Sequence, residues 1–451
     1  MSESVDRLET NIEELQRLLA SEEVQPLVEW VEGLHATDLA DVLEHLEGDE
    51  VRLRLLELVP APLASDTLTE MEEEEHPAAL LAQMEPGRIA ELVDELADDD
   101  AADLIGDLEP DQQERVLEVV EDSEEIRELL EYPEESAGGI MTRELLSVPF
   151  ESTAGQALEQ LREVAEDRED FYTIFVTDPN ARLRGVVKLA ALALASPSTR
   201  LSDMIEEPVG VVPVDMDQEE VGRILSRYNL VSIGVVDEDG RLVGRITFDD
   251  VIDVVEAETT EDILRFAAVS EEEQLRGTMV GAVRSRLPWL MVNLLTAVAA
   301  SSVVYAFRDT IQRMAVLAAV MPIIAGMGGN AGTQALAVTI RRIALTDETM
   351  AQRWSTVSKE LLVGLVNGLV LGLLVAGLST LLPNTPPALG LVVMVAMWGN
   401  LVIASVLGAF FPIVLERCGV DPAVASSIFV TTFTDLFGFL LLLGLASAFV
   451  L

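Results

Sequence analysis

Apolar residues recur at three- and four-residue spacing through the first third of the chain. Leu39, Val42, Leu43 and Leu46 form one such stripe, and Ile89, Leu92, Val93 and Leu96 form another. That period places them on one face of an α-helix. Each stripe leads through an acidic amphipathic helix to a turn, Glu47 to Asp49 in the first case and Ala97 to Asp99 in the second. Residues 1–135 therefore predict a degenerate repeat of short helices, a small all-α solenoid. The period then changes. The β-branched runs Tyr172–Thr177 and Val231–Val236 each meet a reversal, Asp178-Pro179-Asn180 and Asp237-Glu238-Asp239-Gly240, and continue into a second strand. Helices predicted over Thr153–Asp167 and Gln218–Tyr228 precede the two hairpins and others follow, so residues 136–256 read as two copies of one αββα unit.

The last third is different again. Five apolar stretches, Trp289–Phe307, Ala315–Ile340, Leu361–Leu382, Ala388–Leu415 and Ala423–Leu451, each approach or exceed the roughly 20 residues that cross a bilayer core of about 30 Å. An acidic helical stretch, Asp253–Ala268, leads to them past Arg276, Arg284 and Arg286, which makes 257–286 a connecting helix and 287–451 a five-helix membrane domain. An odd number of spans puts the termini on opposite sides. With the N-terminus inside, the cytoplasmic flanks hold Arg276, Arg284, Arg286, Arg341, Arg342, Arg353, Lys359 and Arg417, whereas the outer flanks hold Arg308 and Arg313. This asymmetry predicts a cytoplasmic N-terminus, an extracytoplasmic C-terminus and a multi-pass cell-membrane protein. The start of the chain is acidic and amphipathic, with no cleavable secretory signal.

Composition sharpens the division. Seven basic and seven acidic residues lie from Pro288 onward, so the whole formal charge of −50 belongs to residues 1–287. Nucleic acid is excluded as a partner for so acidic a region. Two readings of the acidity remain open: carboxylates that bind cations, or a surface kept soluble at high salt, as the scarcity of lysine (Lys188 and Lys359 against 27 Arg) also suggests. Cys418 stands alone, which excludes an internal disulfide. His35, His45 and His76 all fall in the helical region, and no nucleophile-and-base arrangement or phosphate loop appears, so the chain does not read as an enzyme.

Two features of the apolar third carry chemistry. The second stretch contains Pro322 and the run Gly326-Met327-Gly328-Gly329-Asn330-Ala331-Gly332-Thr333-Gln334, which predicts an interruption whose backbone is buried in protein or lines water. Close packing of small residues is the competing reading; Asn330 and Gln334, four apart on one face, favour a wet cavity. Asp435 is a carboxylate thirteen residues into the last stretch, where insertion costs about 2.5–3.5 kcal/mol unless something compensates. Either it is protonated and bonded to Asn400 or Asn367, or it marks a cation pathway, with Thr431 and Thr434 adding oxygens within one turn. Two copies of Asp435 on a dimer axis would suit a small divalent ion; Mg2+ holds water at about 2.1 Å and sheds it reluctantly, so the carboxylates would grip the hydrated ion. No His, Cys or Met cage surrounds Asp435 to favour a softer metal.

The duplicated αββα segment resembles a tandem CBS pair, most clearly in Gly244-Arg245-Ile246-Thr247-Phe248-Asp249-Asp250. There the resemblance implies that Thr247 and Asp250 hydrogen-bond the ribose of a nucleotide such as ATP, although the same residues could simply cap the following helix. The first copy, Gly185 to Ala191, lacks both, so one nucleotide per chain is expected. Together with the junction Tyr132 to Met141 and the segments Glu256–Ile263, Gly328–Gln334 and Asp421–Gly438, the whole chain resembles the MgtE magnesium channels. The resemblance implies a homodimer in the lipid bilayer that admits Mg2+, with Asp435 as the pore aspartate beside Thr431, Thr434 and Asn330. It also implies shutting by cytoplasmic Mg2+, for which Asp94, Asp98, Asp215, Asp217, Glu219, Asp249, Asp250, Asp253, Glu256, Glu258 and Asp262 are the expected ligands. Two other readings stay open: a proton- or sodium-coupled divalent-cation transporter, and a membrane-anchored nucleotide or ionic-strength sensor.

Overall fold

The computed structural model describes residues 2–21, 24–46, 48–72, 75–121, 123–164, 173–206, 210–267, 269, 279–345, 350–380, 386–420, 422 and 426–450. Two compact units divide the chain, Met1–Glu258 and Thr259–Leu451.

The first unit opens with ten helices: α1 (Ser2–Ser21), α2 (Val24–Val31), α3 (Ala36–Glu44), α4 (Asp49–Leu58), α5 (Ala61–Thr69), α6 (Pro77–Leu81), α7 (Pro86–Val93), α8 (Asp98–Gly106), α9 (Pro110–Leu117) and α10 (Ser123–Leu129). Helix starts are written in the sequence. Proline occupies the first helical positions of α5, α6, α7 and α9, where its missing N–H would be unused in any case. Acidic residues fill the first turns of α4, α8, α9 and α10, where the helix dipole favours them. Each helix packs on the one two places ahead: α3 on α5, α5 on α7 and α7 on α9, with α4 on α6, α6 on α8 and α8 on α10. Leu39, Leu43, Leu55, Leu56, Leu68, Leu81, Leu92 and Ile105 form the interior between them. This is the repeat expected from the leucine spacing.

One ion pair is enclosed in that stack. Arg52 pairs with Glu75 at 2.7 Å, both side chains about nine-tenths buried, and its Nη2 also donates to the Glu44 and Leu46 carbonyls. Arg52→Ala strips the buried carboxylate of this cation. We expect a loss of about 3–5 kcal/mol, read by thermal denaturation of a fragment comprising residues 1–266.

Two small sheets follow, each of three strands in sequence order. The first holds β1 (Ser147–Pro149), β2 (Thr173–Thr177) and β3 (Leu183–Lys188), with helices α11 (Ala154–Val164) and α12 (Leu189–Leu194). The second holds β4 (Val211–Pro213), β5 (Ser232–Val236) and β6 (Leu242–Thr247), with α13 (Gln218–Tyr228) and α14 (Phe248–Phe266). In both, the first strand pairs parallel with the second and the second antiparallel with the third, Ile174 facing Val187 and Ile233 facing Ile246. The two reversals share one construction. Asp178 Oδ1 accepts from the N–H groups of Asn180 and Arg182, and Asp237 Oδ1 from those of Asp239 and Arg241. The left-handed residue is Gly240 in one copy and Ala181 in the other. Strands β1 and β4 were not foreseen, because three residues ending in proline show no period of two. The unit is thus βαββα.

The second unit contains α15 (Met279–Ala306), a short α16 (Arg308–Arg313), α17 (Val316–Leu345), α18 (Met350–Thr380), α19 (Pro387–Arg417) and α20 (Ser426–Phe449). All but α16 are long and apolar enough to cross a membrane, five among the described residues. Helix α19 is the hub, packing on α17, α18 and α20, while α15 rests on α20 and exposes most of its surface. The expected interruption of the second span is absent. Helix α17 runs unbroken through Pro322 and the glycine-rich run. Pro322 removes only one hydrogen bond, to the carbonyl of Ala318 in the first turn, and Gly328 and Gly332 are held helical by tight packing described next.

Candidate functional site

Within the membrane unit, α17, α19 and α20 meet where the small residues are. A Cβ on Gly328 would lie 2.2 Å from Asn400 Nδ2 and 3.3 Å from Thr434 Cβ; one on Gly332 would lie 2.3 Å from Val430 Cγ1. The Asn400 side chain is fully enclosed and donates through Nδ2 to the Ile324 carbonyl at 3.0 Å, while its Oδ1 has no partner. Gly328→Val is expected to force these helices apart and cost about 1–3 kcal/mol or more, read as a lowered melting temperature in detergent and a lower folded yield.

Asp435 sits on α20 beside this crossing, half-buried, and makes no hydrogen bond or ion pair with any described residue. The two suggested partners are engaged elsewhere or turned away: Asn400 donates to α17, and Asn367 is exposed on α18. Thr431 is half-buried and its hydroxyl donates to the carbonyls of Ser427 and Ile428. Thr434 is fully buried against Gly328 and donates to the Thr431 carbonyl at 2.9 Å. Asn330 and Gln334 lie exposed on α17, one turn apart. A membrane-crossing helix that shows two amides on its outside, next to one that shows a partnerless carboxylate, has a polar face to place against water or another protein surface.

In the first unit the carboxylates gather where α8 approaches the start of α14. Asp99 is 9% exposed with Oδ1 unpartnered. Burial, and then the neighbouring charges of Asp100, Asp250 and Asp98, push its carboxyl well above the usual range. Asp100 is raised to about 6 by burial and by Asp250, Asp249, Asp66 and Asp253. Asp103 is raised to about 7 by burial and by Asp100, Glu134, Asp107 and Asp250. On the facing helix, burial raises Asp250 and Asp253, with Asp249, Glu70 and Glu256 adding repulsion. Asp66, Glu70, Asp99, Asp100 and Asp103 were missed in the sequence. A signal existed for one of them: Asp99 precedes the buried Ala102 by three positions and so shares its inward face.

The other expected ligands are spread more widely. Asp98 accepts from the Thr142 hydroxyl and from the Arg143 N–H at 3.0 Å, tying α8 to the junction that precedes β1. Asp94 accepts from the Glu121 N–H at 3.1 Å, and Asp217 caps α13 through the Glu219 N–H at 2.9 Å. Glu258 accepts from Gln218 Nε2 at 2.8 Å. Asp215, Asp249 and Glu256 are exposed, Glu219 is half-buried, and the Asp262 side chain lies outside the described residues. Among the described residues no three such groups converge tightly enough to hold a bare metal ion. Thr247 and Asp250 are joined: Asp250 Oδ2 accepts from the Thr247 hydroxyl at 2.7 Å and from its N–H at 2.9 Å, which caps α14.

Comparison with known proteins agrees with this layout. Residues 321–445 match the MgtE family of divalent cation transporters, 34–135 the MgtE intracellular N domain, and 137–197 and 201–257 the CBS domain. The magnesium transporter MgtE of Thermus thermophilus is 35% identical over 438 residues, covering 96% of this chain and 97% of that one. The magnesium transporter MgtE of Bacillus subtilis is 30% identical over 422 residues, covering 93% of each. The crystal structure of the cytosolic domain of the Mg2+ channel MgtE in complex with ATP aligns at a TM-score of 0.51 with 36% identity, over 53% of this chain and 98% of that one. The soluble part of a magnesium transporter aligns at 0.50 with 30% identity, over 56% of this chain and 99% of that one. A helical N domain, a CBS pair and an apolar region with five candidate spans, matched along nearly their whole length, make this chain a member of the MgtE family of magnesium transporters.

Proposed function

We propose that the chain is a magnesium-selective channel of the cell membrane that admits Mg2+ to the cytoplasm down its electrochemical gradient. Asp435 carries this reading: a carboxylate in a membrane-crossing helix with no partner among the described residues is tolerated where water or a cation supplies the compensation. Asp435, Thr431 and Asn330 line the pathway, and Thr434 supports it from the packed side. Two copies of the chain complete it as a homodimer, each bringing one Asp435 and the exposed amides of α17. The N-terminus is cytoplasmic and the C-terminus extracytoplasmic.

Regulation falls to the acidic unit and the connecting segment up to residue 286. Asp94, Asp98, Asp215, Asp217, Glu219, Asp249, Asp250, Asp253, Glu256, Glu258 and Asp262 respond to cytoplasmic Mg2+, with Asp99, Asp100 and Asp103 joining them on α8. Carboxylates this close repel one another unless a divalent ion or protons neutralise them, so Mg2+ favours the conformation in which they stay together. ATP binds at Thr247 and Asp250 and modulates that response; the ATP complex of a related cytosolic domain supports this.

A partnerless carboxylate could also exchange a proton for a cation, which is the coupled-transporter alternative. Uptake of Mg2+ into liposomes holding the full chain, with neither a pH nor a sodium gradient imposed, separates the two. We expect passive uptake; uptake that appears only when a gradient is imposed would establish coupling.

A further inference from the structure

A second carboxylate lies within a candidate span, and the pathway through Asp435 does not use it. Glu360 is on α18, seven residues beyond Arg353 and hence about two turns further into the span Gln352–Leu378. Its surface is 7% exposed, and it makes no hydrogen bond or ion pair with any described residue.

What faces it follows from the register of α18 against α19. A Cβ on Gly372 would meet the Met394 carbonyl at 2.8 Å, one on Gly368 the Trp398 carbonyl at 3.0 Å, and one on Gly364 the Leu401 carbonyl at 3.1 Å and Ser405 Oγ at 3.0 Å. At the far end Thr356 and Ile413 line one cleft. Between these contacts, one turn from each, Glu360 falls opposite residues 405–409. Pro412 has no N–H to give, so the Gly408 carbonyl lacks its ordinary helical donor. Gly408 is itself a contact point with α17, where a Cβ would lie 2.4 Å from the Gly332 carbonyl.

Charged groups nearby are few. Lys359 neighbours Glu360 on α18, Arg353 pairs with Glu416 of α19, and Arg342 of α17 lines the same cleft as Thr356. The facing stretch of α19 is otherwise small or apolar, with Ala404, Ser405, Ala409 and Ile413 all buried. Apart from the charge of the adjoining Lys359, nothing among the described residues offsets an ionised carboxylate in such a place, and taking up a proton is the ordinary resolution.

We propose that Glu360 is a proton-binding site within the membrane unit: protonated, it donates to the carbonyl that Pro412 leaves open at Gly408 and clasps α18 to α19. Releasing the proton to water through the cleft at Thr356 opens the clasp beside the Gly408–Gly332 crossing. Transport therefore varies with pH through a group outside the pore.

The test uses the full chain in lipid. Infrared difference spectra of wild type against Glu360→Gln should show one protonated carboxyl band lost, and Pro412→Ala, which gives Gly408 its helical donor, should shift that band in the otherwise wild-type chain. Mg2+ uptake by Glu360→Gln should lose the pH dependence of the wild type over the range in which that band titrates. An infrared spectrum unchanged by Glu360→Gln would overturn the site, whatever the flux. A pH profile identical in the two proteins would overturn the clasp.

Discussion

Asp435→Ala is expected to reduce Mg2+ uptake into liposomes to the level of protein-free vesicles while leaving the protein folded. The carboxylate lies on a membrane-crossing helix without a hydrogen bond or ion pair to any described residue, so its removal breaks none. An aspartate at the middle of a span costs about 2.5–3.5 kcal/mol to insert. The alanine variant should therefore melt no lower than the wild type in detergent. Loss of uptake with retained or raised stability is the signature of a group kept for its charge; loss of both would place Asp435 in the structural framework instead. Asp435→Asn should behave like alanine, because a hydrated Mg2+ held through its waters responds to charge more than to shape. Uptake that survives both substitutions would move the selectivity site elsewhere along the pathway.

The second large effect concerns the α8–α14 carboxylates. Asp100 and Asp103 are raised to about 6 and about 7, so between about pH 4 and pH 7 the folded state holds protons that the unfolded chain has released. Stability supplied by those protons is complete below the unfolded values and is lost as pH rises through the folded ones. Asp100→Asn together with Asp103→Asn should accordingly stabilise a fragment of residues 1–266 at pH 8 and lose that advantage toward pH 4. Because both side chains retain solvent access, the gain is on the order of 1–2 kcal/mol rather than the full linkage value. Millimolar Mg2+ should raise the melting temperature of the wild-type fragment at pH 8 more than that of the double variant, since a ligand of the folded state stabilises in proportion to its occupancy. Equal Mg2+ responses would remove these residues from the regulatory site. In the full chain, alanine at several of Asp94, Asp98, Asp249, Asp250 and Asp253 together should leave uptake active at high internal Mg2+.

Much of the architecture was legible because short-range rules set it. Prolines and acidic first turns mark helix starts in the N-terminal region, the Asp178 and Asp237 side chains build the two reversals from within, and five stretches of apolar residues are long enough to span a bilayer. The duplicated sheet was legible for the same reason, except for β1 and β4, whose pairing partners lie more than 20 residues away. Asp435 stood out because one charge in an apolar stretch is costly wherever that stretch ends up.

Contacts between helices decided the rest. Composition argued that the Gly326–Gln334 run would break its helix; Asn400, Val430 and Thr434 pack so closely on Gly328 and Gly332 that the helix continues. Thr431 and Thr434 looked equivalent as oxygen donors, yet one is half-buried and the other enclosed. Asp99 is buried, and Asp99, Asp100 and Asp103 all gain proton affinity from desolvation and from the charge of Asp250 on α14, some 150 residues away in sequence. Thr247 and Asp250 stood out through the resemblance to CBS domains, whereas only the tertiary structure shows the two bonded to each other. Periodicity, turn chemistry and insertion cost are properties of neighbouring residues and so belong to the sequence; burial, unmet hydrogen bonds and charge crowding depend on which helices touch, which the tertiary structure alone specifies.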